Sequence, residues 1–126
     1  MTSTTERPLL AVVDDDESVR ESLPDLLNEL GFATQTFSSA EELLSSDSLD
    51  RTRCLILDIA MPGISGLDLQ QTLNQRGHTI PIVFITAQRD KAVHEQAVRQ
   101  GAVSVLLKPF SDVALLEAVR SALHME

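Results

Sequence analysis

The sequence predicts a doubly wound α/β domain: a five-stranded parallel sheet in the order 2-1-3-4-5, flanked by five helices. Two observations lead there. Short apolar runs of strand length alternate five times with stretches of helical period, which implies parallel strands joined by right-handed crossovers. The runs also lack clean polar alternation, so the sheet is covered on both faces. A chain of 126 residues, 43% of them hydrophobic, suffices for one such core and is too short for two.

The elements follow in order. Residues 1–8, Met-Thr-Ser-Thr-Thr-Glu-Arg-Pro, have no apolar stretch and read as a polar tail, leaving 9–124 as the folded domain. Leu9 to Val13 is the first strand. Val19, Leu23, Leu26, Leu27 and Leu30 recur at helical spacing, and Gly31 stops that helix. Pro24 lies inside it, removes a hydrogen bond and crowds the Arg20 carbonyl, so a kink is expected there. Phe32 to Phe37 is the second strand. Its Ala33-Thr34-Gln35-Thr36-Phe37 is the most polar of the five, which suits a sheet edge and fixes the strand order.

A helix after Ser39 carries Leu43 and Leu44, and Cys54 to Leu57 is the third strand. Gly66 opens a helix with Leu69 and Leu73 that stops at Gly77, and Ile82 to Ile85 is the fourth strand. Asp90 caps a helix with Val93 and Ala97 that stops at Gly101. Val103 to Leu107 is the fifth strand, and Val113, Leu116, Val119 and Leu123 mark the last helix.

Several functions are excluded. A net charge of −9 gives no electrostatic footprint for nucleic acid or an anionic membrane. No apolar run approaches the roughly 18 residues of a membrane span. A lone Cys54 within an apolar run makes no intrachain disulfide, and the reducing cytoplasm is the expected compartment. His78, His94 and His124 have no metal-ligand spacing and read as surface residues. Dinucleotide binding lacks its glycine motif after strand one. The chain ends at Glu126, soon after the last helix, so no output domain is expected within it.

In such a sheet, ligands bind beyond the carboxyl ends of the strands where the strand order reverses, here between strands one and three. Strand one runs into Asp14-Asp15-Asp16, strand three into Asp58, strand four into Thr86 and strand five into Lys108-Pro109. Each alone has a plain reading, and Asp16 is expected to cap the first helix. Together they converge on one edge. Asp14, Asp15 and Asp58 brought close would repel, and one Lys108 ammonium leaves a formal charge of about −2. Clustered carboxylates without His or Cys favour a hard divalent ion, so Mg²⁺ is the expected metal, with phosphate oxygens as further ligands. A carboxylate is also a competent nucleophile towards phosphorus, and the centrally placed Asp58 is the best candidate.

These residues resemble the receiver domain of bacterial two-component response regulators, a flavodoxin-like fold, over about Leu9 to Leu123. The resemblance rests on a combination: Val12-Val13-Asp14-Asp15-Asp16, Leu57-Asp58-Ile59-Ala60-Met61-Pro62 with Gly66 eight residues after Asp58, Ile85-Thr86-Ala87, Gly101-Ala102 and Lys108-Pro109-Phe110. The run from Gly101 to Phe110 looks most like the FixJ-type subgroup. The resemblance implies that Asp58 takes a phosphoryl group from a phosphohistidine on a sensor histidine kinase. It implies that Asp15 and Asp58 bind Mg²⁺ directly, Asp14 through a water, and that the Ala60 carbonyl adds a ligand. Lys108 pairs with the phosphoryl oxygens and Thr86 moves to hydrogen-bond them, biasing two nearly balanced states. A cis bond before Pro109 is expected.

The chain departs from the family at Val105, three residues before the lysine, where many receivers carry an aromatic that swings inward. The signal is then expected in shifts of the loop from Thr86 to Asp90 and the following helix. Ala60 and Gln88 flank the mouth of the site at positions associated with aspartyl phosphate lifetime. Lys91, Glu95, Arg99, Asp112, Glu117 and Arg120 put mixed charges on the face of the fourth helix, fifth strand and fifth helix, which suits reciprocal pairs in a homodimer. Two rivals are weaker. A hydrolase using an aspartyl phosphate needs an acid two residues after Asp58, where Ala60 stands. A phosphorylation-independent interaction module would not need the intact Asp15, Asp58, Thr86 and Lys108. The expected activity is thus one self-directed transfer, not enzyme turnover.

Overall fold

The computed structural model describes residues 7–124. The strands are β1 (Leu9–Val13), β2 (Ala33–Phe37), β3 (Thr52–Asp58), β4 (Ile82–Thr86) and β5 (Ser104–Leu107). The helices are α1 (Glu17–Glu29), α2 (Ala40–Leu44), α3 (Gly66–Gln75), α4 (Lys91–Arg99) and α5 (Asp112–Ala122). All strand pairs are parallel, and the order is β2-β1-β3-β4-β5, as the sequence predicts. Residues 1–6 of the expected polar tail lie outside the described residues.

Alternation along the strands divides the core. Leu10, Val12, Cys54, Ile56, Val83 and Ile85 face α1 and α5, packing on Leu23, Leu27, Leu115 and Val119. Ala11, Val13, Leu55, Leu57 and Phe84 face the other layer, packing on Leu43 of α2, Leu69 and Leu73 of α3 and Ala97 of α4. The sheet therefore buries both faces, and each parallel strand reads as an apolar run for that reason. Cys54 is fully buried, and burial pushes its thiol up to about 12, leaving it inert as a nucleophile.

Two local details differ from the sequence reading. β3 begins at Thr52, two residues before the apolar run, because Thr52 pairs with Leu9 and its buried hydroxyl donates to the Ser48 carbonyl at 3.0 Å. A 3₁₀ turn, Leu49–Arg51, leads into it. α1 continues through Pro24 as one helix, as the apolar spacing from Val19 to Leu30 predicts. Leu23 and Leu27, buried on either side of Pro24, anchor both halves, so one missing hydrogen bond does not end the element. The expected caps are present at Asp16, Ser39 and Asp90, each side chain accepting a backbone N–H of the first turn. No helix among the described residues is long and apolar enough to cross a membrane.

Candidate functional site

The carboxyl ends of β1, β3, β4 and β5 bring Asp14, Asp58, Thr86 and Lys108 together as expected. β1 delivers Asp14, which is completely buried. The Asp16 N–H donates to Asp14 Oδ1 at 2.9 Å, and Lys108 Nζ donates to Asp14 Oδ2 at 2.9 Å. Arg20, one turn into α1, donates from Nη1 to the Asp14 carbonyl at 2.9 Å and fixes the turn. Asp15, next in the chain, is exposed, yet a carboxylate oxygen of it lies within 4.8 Å of those of Asp14 and Asp58.

β3 delivers Asp58, 6% exposed, whose Oδ1 accepts the Ala60 N–H at 3.3 Å and whose Oδ2 lies 3.7 Å from Lys108 Nζ. Ala60 itself is exposed at the mouth of the site, and Met61 beside it is buried in loop packing. Gly66 opens α3 directly beneath this strand end, its N–H donating to the Ile59 carbonyl at 2.9 Å. A β-carbon there would meet the Asp58 carbonyl oxygen at 2.3 Å, so only glycine allows α3 to pack this close.

Thr86 ends β4, fully buried, and its Oγ1 accepts the Gln88 N–H at 2.9 Å. The Lys108 N–H donates to the Thr86 carbonyl at 2.8 Å, joining the ends of β4 and β5. The Lys108–Pro109 peptide is cis, as expected. Val105 packs against the core and borders a shallow hollow against α4 with His94, Val98 and Arg99.

Charge governs the arrangement. Oxygens of Asp14, Asp15 and Asp58 lie within 4.8 Å of one another, with one ammonium among them. Asp58 is pushed from the usual 3.8 up to about 6, first by burial and then by the Asp14 charge, against the pull of Lys108. Burial works against the Lys108 charge, but its bond to Asp14 and the fields of Asp58, Asp14 and Asp16 outweigh that and raise its pKa. An all-oxygen donor set with excess negative charge fits a hard divalent cation and offers nothing to a soft one. Two contributors were not legible in sequence. Arg20 acts on a backbone carbonyl six residues earlier, and His94, half-buried, places Nε2 at 2.7 Å from the Gln88 carbonyl. Neither contact belongs to a spacing pattern.

Fold and site together define a doubly wound α/β domain with an acidic cluster and one lysine at the switch point of its sheet. The chain belongs to the response regulator receiver domain family, which it matches over residues 10–120. It is a two-component, phosphoryl-accepting receiver. It is 43% identical over 124 residues to the transcriptional regulatory protein TdiR of Thauera aromatica, covering 98% of this chain and 55% of that protein. It is 44% identical over 113 residues to the transcriptional regulatory protein FixJ of Azorhizobium caulinodans, covering 89% of this chain and 53% of FixJ. Among solved structures, the response regulator StyR superposes with a TM-score of 0.87 at 44% identity, over 94% of this chain and 60% of StyR. FixJ-N superposes with a TM-score of 0.84 at 34% identity, over 94% of this chain and 95% of that one. The FixJ-like character expected from Gly101 to Phe110 agrees with these relatives. The chain spans about half the length of the curated relatives it matches.

Proposed function

We propose that residues 9–124 form a receiver unit in which Asp58 takes a phosphoryl group from a phosphohistidine of a sensor histidine kinase. The observation that carries this is the geometry of one lysine facing two buried carboxylates at the switch point, 2.9 Å from Asp14 and 3.7 Å from Asp58. Asp14, Asp15, Asp58 and the Ala60 carbonyl would hold Mg²⁺. The ion, when bound, neutralises the phosphoryl oxygens and the carboxylates that surround them. An Asp58 oxygen attacks phosphorus, the P–N bond breaks, and the electron pair leaves with the imidazole nitrogen. Lys108 already points between Asp14 and Asp58 and pairs with a phosphoryl oxygen. Thr86, whose hydroxyl accepts from Gln88 before phosphorylation, turns to donate its proton to another.

Mixing the protein with acetyl phosphate or phosphoramidate and recording intact mass tests this reading. One added phosphoryl group is expected, requiring both Mg²⁺ and Asp58 and absent in Asp58→Asn. A folded, Mg²⁺-binding protein that takes up neither the phosphoryl group nor its beryllofluoride analogue would favour the phosphorylation-independent interaction module.

The surface of α4, β5 and α5 is the proposed output face. Lys91, Glu95, Arg99, Asp112, Glu117 and Arg120 are all exposed there. Reciprocal pairs between opposite charges would build a phosphorylation-promoted homodimer in the cytoplasm, with no direct contact to nucleic acid. Arg99→Glu or Arg120→Glu is then expected to weaken the dimer about tenfold in sedimentation of the phosphorylated protein, and an unchanged dimer would remove these pairs from the account.

A further inference from the structure

Gln88 is held at both ends of its backbone. Its N–H donates to Thr86 Oγ1 at 2.9 Å, and its carbonyl oxygen lies 2.7 Å from His94 Nε2. A carbonyl only accepts, so the His94 ring carries its proton on Nε2. One residue therefore connects the Thr86 hydroxyl, inside the site, to an imidazole on α4. That imidazole borders the hollow between α4 and β5, where Val105 is too small to fill the space and no other lining residue carries a ring.

We propose that His94 is a positioning residue: it latches the loop from Thr86 to Asp90 in its unphosphorylated setting and passes the movement of Thr86 to the α4–β5 face. This rests on reading Asp58 as the phosphoacceptor. When the Thr86 hydroxyl turns to the phosphoryl oxygens, the Gln88 N–H loses its acceptor and the residue shifts. A bond of 2.7 Å does not survive a shift of an ångström or more, because hydrogen bonds fade beyond about 3.2 Å. The freed imidazole then reshapes the hollow from the α4 side. An inward aromatic on β5 is not required. The latch stabilises only the unphosphorylated setting, so removing it favours the phosphorylated one.

The test is a titration of the protein with beryllofluoride in the presence of Mg²⁺, read by NMR at the Thr86 and Gln88 amides. His94→Ala is expected to bind about 3 to 10 times more tightly than wild type, the range of one hydrogen bond. His94→Gln, whose carboxamide still donates to the Gln88 carbonyl, is expected to stay within about twofold of wild type. In the wild type, the His94 Nε2 nitrogen resonance is expected at the protonated position and to move on saturation. Equal affinity in wild type and His94→Ala, or a His94→Gln protein that tightens as much as His94→Ala, would overturn the latch. So would an Nε2 resonance that shows no proton, a measurement needing no variant. A folded wild type that binds no beryllofluoride would overturn the Asp58 reading and the latch together, whereas normal binding without a His94 effect overturns the latch alone.

Discussion

Asp58→Asn raises the melting temperature of the metal-free protein at pH 7.5 by roughly 4–10 °C and leaves it nearly unchanged at pH 3.5. Burial and the Asp14 charge lift the Asp58 carboxyl from 3.8 to about 6 in the folded chain. The folded state thus binds this proton more tightly than the unfolded state. Below pH 3.8 both states are protonated and no penalty exists. Between 3.8 and about 6 the unfolded chain has lost the proton and the folded chain keeps it, so stability falls as pH rises, and the loss is complete above about 6. At roughly 1.4 kcal/mol per pH unit the ceiling is about 3 kcal/mol, and solvent at the mouth of the site reduces it to about 1–2 kcal/mol. Asparagine keeps the shape and removes the charge. Thermal melts at the two pH values check it: a variant equal to or below wild type at pH 7.5 would show that Lys108 already compensates the cluster. Mg²⁺ is expected to raise wild type more than Asp58→Asn, closing part of the gap.

Gly66→Ala costs about 3 kcal/mol or more and slows phosphoryl uptake, the largest loss of stability expected from a single methyl group in this protein. The added carbon would sit 2.3 Å from the Asp58 carbonyl oxygen, 2.9 Å from Ile59 Cα and 3.1 Å from the Asp58 carbonyl carbon. All three are main-chain atoms, so no side-chain rotation relieves the contact. α3 must move away from β3 or Asp58 must leave its place, and either change disturbs the carboxylate cluster. Gly77→Ala is the control, because Gly77 has a φ of +79° with nothing within 4 Å of the added carbon. It is expected to cost only about 1 kcal/mol, from backbone conformation alone. Urea unfolding of both variants decides the matter, and a Gly66→Ala cost no larger than that of Gly77→Ala would mean that α3 yields easily.

The site's composition was legible because topology converts strand order into proximity. Once Leu9 to Val13, Cys54 to Leu57, Ile82 to Ile85 and the fifth run were read as parallel strands, the residues following them had to meet at one edge. The start of β3 was not legible, since Thr52 and Arg53 lack the apolar signature and Thr52 joins the sheet through pairing with Leu9.

Residue order alone determined the architecture, the strand order and the set Asp14, Asp15, Asp58, Thr86 and Lys108, because hydrophobic periodicity and crossover geometry are properties carried by the chain itself. Only the tertiary structure assigned these groups unequal parts. Asp14 is sealed against Lys108 while Asp15 is exposed, and the Thr86 hydroxyl is occupied by Gln88. The same structure put Gly66 against the Asp58 carbonyl and the His94 ring against the Gln88 carbonyl. These contacts arise from close packing and from hydrogen bonds to main-chain atoms, which every residue has, so side-chain identity along the sequence gives them no signature.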